Sequence, residues 1–360
     1  MKNILRIGVV FLMTVVVSPI IYAQGPDQNY AQEEDVVFDN GSVALKQKLP
    51  SFFHRAHKET AAEQFEYATL LLEKGESKSA INEFNDLIHT WPSSTLAPEA
   101  QLAIALEFEN IKKYERAFNE FQYLINYYPN KFPYDVAIDH QMAIANHIRT
   151  SKKRFLGIPM GSNKGLSIEL YNQIVQNAPN WDQTPLAELY SCVLEEDHGD
   201  YESAIAGYEL LMQQFPASKH IPEAKFRRLS CLFELTKRYK RDQQVYLTAM
   251  EAAAEFIRDY PTNENIDEAK KVYTNSKGSL AKMNYDIAVF YDKQNKKESA
   301  IIAYNSFIDS FPDSKHADAS RKRVKQLKKA IIGKELKEDS KIINKLENIN
   351  EDFMDKDLSE

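Results

Sequence analysis

Ala80-Ile-Asn-Glu-Phe84-Asn-Asp-Leu87-Ile-His-Thr-Trp91-Pro92 carries the pattern from which the architecture follows. A small residue, a ring and an aliphatic stand 4 and 3 positions apart, which puts all three on one helix face. Pro92 stops that helix, because it has no N–H to donate and disfavours helical geometry in the residue before it. The arrangement recurs at Pro129, Pro179, Pro216, Pro261 and Pro312. Twelve residues before these stand Ala117, Ser167, Ala204, Ala249 and Ala300, and eight before stand Phe121, Tyr171, Tyr208, Ala253 and Tyr304. Five before come Leu124, Ile174, Leu211, Phe256 and Phe307. Eight residues after the six prolines stand Ala100, Ala137, Ala187, Ala224, Ala269 and Ser320, small enough to let a second helix close on its neighbour.

Turn signals separate the two helices of a unit: Lys74-Gly75-Glu76, His198-Gly199-Asp200 and Gln294-Asn295-Lys296. Each unit therefore reads helix, turn, helix, proline. One such hairpin cannot bury its own apolar face, so the units must stack. The expected fold is an all-α, tetratricopeptide-like solenoid of five to six irregular repeats. Its proline spacings of 37, 50, 37, 45 and 51 exceed the roughly 34 residues of the standard unit. The surplus is assigned to a loop from Ser151 to Gly165 and to a long helix from about Asn265 to Lys293, with Gly278 as the place where it can bend. The rings at Phe84, Phe121, Tyr171, Tyr208 and Tyr304 lie at packing positions and read as core, not as a ligand cage.

The N-terminus has the layout of a secretory signal peptide: Lys2 and Arg6, an apolar run from Ile7 to Val17, a break at Ser18-Pro19, and Ala23 at the cut. The apolar run is short of the roughly 20 residues that span a bilayer, although continuation through Ile21 comes close and leaves a retained anchor as the rival reading. The expected organisation is a signal peptide over 1–23, a flexible lead-in over 24–55, the solenoid over 56–330, and a charged helix and tail over 331–360. Within the lead-in, Val36-Val37-Phe38 and Leu49 to Phe53 are the pieces able to pack on the first repeat. The final helix is expected from about Ala317 to Asn348, followed by a frayed acidic tail.

A net charge of −7 argues against a nucleic-acid binder, which needs a basic face for phosphate. Two cysteines, Cys192 and Cys231, are too few for a disulfide framework. They fall in adjacent repeats, so a bridge and two buried thiols both remain open.

Beyond the general repeat, Lys277-Gly-Ser-Leu-Ala-Lys-Met-Asn-Tyr-Asp-Ile-Ala-Val-Phe-Tyr291 resembles the long helix of the BamD (YfiO-like) outer-membrane assembly family. Ser299 to Lys315 resembles that family's last repeat. Tyr127-Tyr-Pro-Asn-Lys-Phe-Pro-Tyr-Asp135, Arg154-Phe-Leu-Gly-Ile-Pro159 and Ile174 to Pro179 resemble its middle repeats. The resemblance covers residues 56–330. It implies a non-enzymatic periplasmic scaffold at the inner face of the outer membrane, without a cofactor. The implied partners are the barrel subunit of the β-barrel assembly machinery, at the C-terminal repeats, and unfolded barrel substrates, at the N-terminal ones. The sequence departs from the family in having no lipobox cysteine at Ile21-Tyr22-Ala23-Gln24, so attachment is assigned to the partner or to a retained signal segment. A periplasmic adaptor of the Tol-Pal-associated type is the alternative, although no heptad stretch precedes residue 60.

The candidate partner-binding residues are Phe65, Tyr67, Phe108 and Tyr114 for substrate, and Tyr285, Tyr291, Lys315, Arg321 and Arg323 for the barrel subunit. No catalytic or metal site is assigned. Glu195-Glu196-Asp197-His198 fans around a helix and cannot face one ion. His54 and His57 have the spacing to share a helix face but lack a third ligand nearby, and read as surface residues. Gly157 to Gly165 fails the order of a phosphate loop and is read as a connection within a helical hairpin. The six basic residues between Arg321 and Lys329 read as a solvated face.

Overall fold

The computed structural model describes residues 47–50, 54–155 and 158–357. Thirteen helices appear among the described residues: α1 (Ala61–Glu73), α2 (Ser77–Thr90), α3 (Ala97–Asn110), α4 (Tyr114–Tyr127), α5 (Tyr134–Thr150), α6 (Lys164–Asn177) and α7 (Thr184–His198). They continue with α8 (Tyr201–Gln214), α9 (Ile221–Arg238), α10 (Gln243–Asp259), α11 (Ile266–Lys293), α12 (Lys297–Ser310) and α13 (Ala317–Asp357). Consecutive helices pair into six hairpins, each packed on the next, and α13 covers the last. The fold is an all-α solenoid interrupted by one small hairpin of strands.

The repeat positions are where the core lies. Ala80, Ala117, Ala204, Ala249 and Ala300 are fully buried, as are Phe84, Phe121, Tyr171 and Tyr208. The residue before each proline is the cap of its helix. Trp91, Tyr128, Ala178, Phe215, Tyr260 and Phe311 have φ between −126° and −135°, outside the helical region, as the following ring requires. Two turns then carry the chain to the next helix. Ser94 N donates to Trp91 O and Ala97 N to Ser94 O, and the same pair of bonds recurs from Ser218 and from Ser314. Pro98, Pro185 and Pro222 occupy the first turns of α3, α7 and α9, where a missing N–H costs nothing.

The turns within hairpins behave as the sequence indicates: Gly75, Gly199 and Asn295 all have positive φ. Lys112, 37 residues after Gly75, holds the same left-handed conformation at φ 62° without being glycine. The long helix is present as α11 and runs through Gly278. Two expectations change. The stretch expected as a loop after Ser151 holds β1 (Lys152–Phe155) and β2 (Ile158–Ser162), paired antiparallel with Lys152 opposite Ser162 and Phe155 opposite Ile158. A backbone that must leave α5 and return to α6 satisfies its own polar groups by pairing with itself. The final helix continues to Asp357, nine residues past the expected end at Asn348, because no proline or glycine interrupts it after Gly333. Val36-Val37-Phe38, residues 51–53 and Gly157 lie outside the described residues. Among the described residues no helix is long and apolar enough to cross a membrane.

Candidate functional site

The N-terminal end of the solenoid is organised by two amide–carboxylate pairs in register. Gln64, on α1, donates from Nε2 to Glu83 O at 3.1 Å and to Glu83 Oε2 at 2.7 Å. Thirty-seven residues on, Gln101 on α3 donates from Nε2 to Glu120 O at 3.0 Å and Oε2 at 2.7 Å. Both glutamines are fully buried, so their amides fix where the two carboxylates point. Each carboxylate then receives a side chain from the segment that precedes α1. Lys48 Nζ lies 2.8 Å from Glu120 Oε2 and 2.9 Å from Gln101 Oε1, while its backbone N–H donates to the Tyr123 hydroxyl. Burial lowers the pKa of Lys48, and Glu120 opposes that shift. His57 Nδ1 lies 2.9 Å from Glu83 Oε2, and that bond raises the imidazole pKa. His54 Nδ1 lies 3.0 Å from Asp86 Oδ1, and Ala56 N donates to Thr90 Oγ1. Residues 48 and 54–57 therefore hold on to α2, α3 and α4.

His54 and His57 do not share a helix face as their spacing suggested, because α1 begins only at Ala61. The further ligand atoms absent from the local sequence come from α2, where Glu83 and Asp86 lie one turn apart. Glu195-Glu196-Asp197-His198 points several ways: Glu196 accepts from Tyr208 Oη at 2.8 Å and Arg227 Nη1 at 3.2 Å, while the Asp197 carbonyl accepts from Lys164.

In the middle of the array, α7 carries a buried carboxylate with one unsatisfied oxygen. Glu188 is 7 % exposed and its Oε2 has no hydrogen-bond partner among the described residues. Burial pushes its carboxyl up to about 7. Glu188 follows its proline by nine residues, as Gln101 does, so the position that holds a neutral amide in the second unit holds an acid here. Cys192 and Cys231 are free and buried in one core cluster, and burial drives both thiols well above their ordinary pKa, Cys231 to about 12. Thiols so hard to ionise are poor nucleophiles and poor metal ligands.

The proposed substrate residues are not brought into one patch. Phe65 packs edge-on against Phe84 at 5.3 Å, whereas Tyr67 lies under Lys58 Nζ at 4.5 Å. Two residues apart on a helix, they point to different flanks. Phe108 meets Arg116, and Tyr114 packs on His147 at 4.0 Å. The C-terminal set does converge on the last hairpin. Tyr285 stacks on His316 at 4.2 Å beside exposed Lys315, and Tyr291 packs against the core of α11 to α13. Arg323 grips Asp292 with Nε at 2.7 Å and Nη2 at 2.9 Å, holding that carboxyl below its usual range. Arg321 pairs with Asp318 on its own helix. Ile287 and Phe290, inside the Tyr285 to Lys293 stretch expected to meet the barrel subunit, and Ile302, outside it, are large, apolar and exposed at 42 %, 57 % and 69 %. Their signal was available: they interrupt the apolar period of α11 and α12 on the outward side.

Comparison with known proteins gives the same C-terminal emphasis. Residues 169–341 match the YfiO family, described as an outer membrane lipoprotein. Over Glu169 to Lys341, a little under half of its length, the chain is similar to that BamD-like family. The match begins inside α6, so the resembling stretches at Tyr127–Asp135 and Arg154–Pro159 fall outside it. Solved structures similar to the chain include YrrB, a TPR protein with an unusual peptide-binding site (15 % identity, 60 % of this chain and 94 % of that one, TM-score 0.29). A tetratricopeptide repeat protein from Parabacteroides merdae shares 14 % identity over 75 % of this chain and 99 % of that one, with TM-score 0.28. The apo form of RapI shares 10 % over 76 % of each chain, with TM-score 0.31. No curated protein matches the chain. Its architecture is that of a tetratricopeptide-type helical solenoid.

Proposed function

We propose that the protein is a non-enzymatic periplasmic scaffold of the outer-membrane β-barrel assembly machinery. It binds the periplasmic part of the barrel subunit with its last hairpin and α13, and unfolded barrel substrates with its first two hairpins. The observation that carries this reading is the YfiO match, which runs from within the second helix of the third unit through the whole of the terminal cluster. The geometry supports it in one respect: the exposed apolar side chains of α11 and α12 lie on the hairpin that also holds Tyr285, Tyr291 and Asp292, whose partner Arg323 comes from α13. Apolar anchors beside a fixed charged pair are what a protein interface needs at its centre and rim. Binding is by surface complementarity along stacked hairpins, with no bond made or broken.

The test is affinity purification of the chain from detergent-solubilised envelope, followed by identification of what co-purifies. Recovery of an outer-membrane barrel protein bearing periplasmic domains is the expected result. Its absence, with the chain itself recovered folded, overturns the proposal.

A further inference from the structure

We infer that His54, His57, Glu83 and Asp86 form a binding site for a zinc-class divalent cation that clips the lead-in to the first hairpin. Glu83 and Asp86 share one face of α2, and the ligating atoms of His57, Glu83 and Asp86 all lie within 4.8 Å of one another. His54 Nδ1, 3.0 Å from Asp86 Oδ1 but outside that mutual set, is the fourth donor once its exposed ring swings in. Tetrahedral bonds of about 2.0–2.1 Å to nitrogen and oxygen set donor atoms roughly 3.3 Å apart, so small side-chain rotations close the set around one ion. Two imidazoles with two carboxylates are a donor set suited to zinc, not to the oxygen-only cages of calcium or magnesium.

The surrounding groups hold these donors in place. Buried Gln64 bonds Glu83 Oε2 through its Nε2, and its Oε1 accepts from the backbone N–H groups of His57 and Lys58, each at 3.0 Å. One side chain thus orients a carboxylate ligand and the backbone of an imidazole ligand together, the usual task of an outer-shell partner. The His54 ring is stacked on His89 at 4.5 Å with an 11° tilt, and His89 is itself fixed by the Leu49 carbonyl.

The second repeat supplies an internal contrast. At the positions of Glu83 and Asp86, 37 residues on, stand Glu120 and Tyr123, and the incoming side chain is Lys48. There one carboxylate meets one ammonium and the charges cancel. In the first repeat two carboxylates face two imidazoles. A divalent cation cancels that charge, in competition with protons on the rings, so uptake is measured at pH 7.5, above the ordinary imidazole range.

The experiment uses the full mature chain, stripped with chelator and titrated with cobalt(II) as a spectroscopic stand-in for zinc. One equivalent is expected to bind with the intense visible absorption of a tetrahedral ion. His57→Ala and Asp86→Ala should each weaken binding by at least about 100-fold, more than the loss of an outer-shell partner. His198→Ala, at a remote helix end, should leave it unchanged. Zinc should also slow tryptic cleavage at Arg55 and Lys58, which lie exposed between and beside the histidines, and chelator should reverse this protection. Failure to bind a full equivalent overturns the proposal. So do a weak octahedral spectrum and uptake that survives in the His57→Ala/Asp86→Ala double variant with unchanged helical circular dichroism.

Discussion

Glu188 and Gly207 are the two residues whose identity is hardest to explain by the repeat and easiest to test. A carboxyl with a folded pKa near 7, against an ordinary value of 4.5, is bound more strongly to its proton in the folded state than in the unfolded one. Its contribution is therefore fully present below pH 4.5 and is lost as pH rises through 7. Glu188→Gln keeps the shape and removes the charge. It should stabilise the protein at pH 8 by roughly 2–3 kcal/mol and leave stability at pH 4 nearly unchanged. Urea unfolding at both values reads the difference, and equal effects at the two pH values would exclude a burial origin. Gly207 sits inside α8, where glycine costs about 0.5–1 kcal/mol relative to alanine. A Cβ there would come within 2.5 Å of Cys192 Sγ, so the close approach of α7 and α8 outweighs propensity. Gly207→Ala should destabilise by about 1–3 kcal/mol despite its better helix propensity. The Cys192→Ala background should recover most of that loss, and a double-mutant cycle showing simple additivity would place the strain elsewhere.

At the scale of elements, the helices were legible because alanine, ring and aliphatic recur at fixed distances from proline. Proline acts locally, on its own N–H and on the residue before it, so Trp91 or Phe311 as a helix cap needs no tertiary information. The β1–β2 hairpin was not legible, since Lys152–Phe155 and Ile158–Ser162 are too short and too mixed in polarity to show a period of two. The docked end of the lead-in was hidden for a different reason. Lys48 finds Glu120 across 72 residues and His57 finds Glu83 across 26, and no spacing rule relates them. The end of α13 follows from chemistry more than packing. Val324 and Leu327 are the last buried side chains among its described residues, whereas Ile332, Leu336, Ile342 and Ile343 are all more than half exposed. A chain ending at Ala330 should melt as the full-length protein does. One ending at Lys315 loses roughly 3–6 kcal/mol of burial at Val324 and Leu327 alone, and uncovers Tyr304. Hydrogen exchange should then show α11 and α12 opening first while α1 to α4 keep their protection; uniform loss along the array would contradict stability set by neighbouring units.

Among the described residues the hairpins pack chiefly on their neighbours, so a change at one end has little route to the other. Under the proposed function the two ends serve different partners, so their binding should be separable by mutation. Phe290→Asp with Ile302→Asp changes two exposed positions, where substitutions seldom move stability by more than about 0.5 kcal/mol. The charges they introduce would be buried without partners if this hairpin is an interface, and recovery of the barrel subunit should fall at least about tenfold, equivalent to roughly 1.4 kcal/mol. Tyr67→Ala, at the far end beneath Lys58, should leave that recovery intact and weaken capture of an unfolded barrel substrate instead. If the double aspartate variant still recovers the barrel subunit in full while remaining folded, the last hairpin is not the contact surface. If each variant weakens both partners equally, the ends are coupled, and a solenoid whose hairpins pack chiefly on their neighbours does not account for how the protein works.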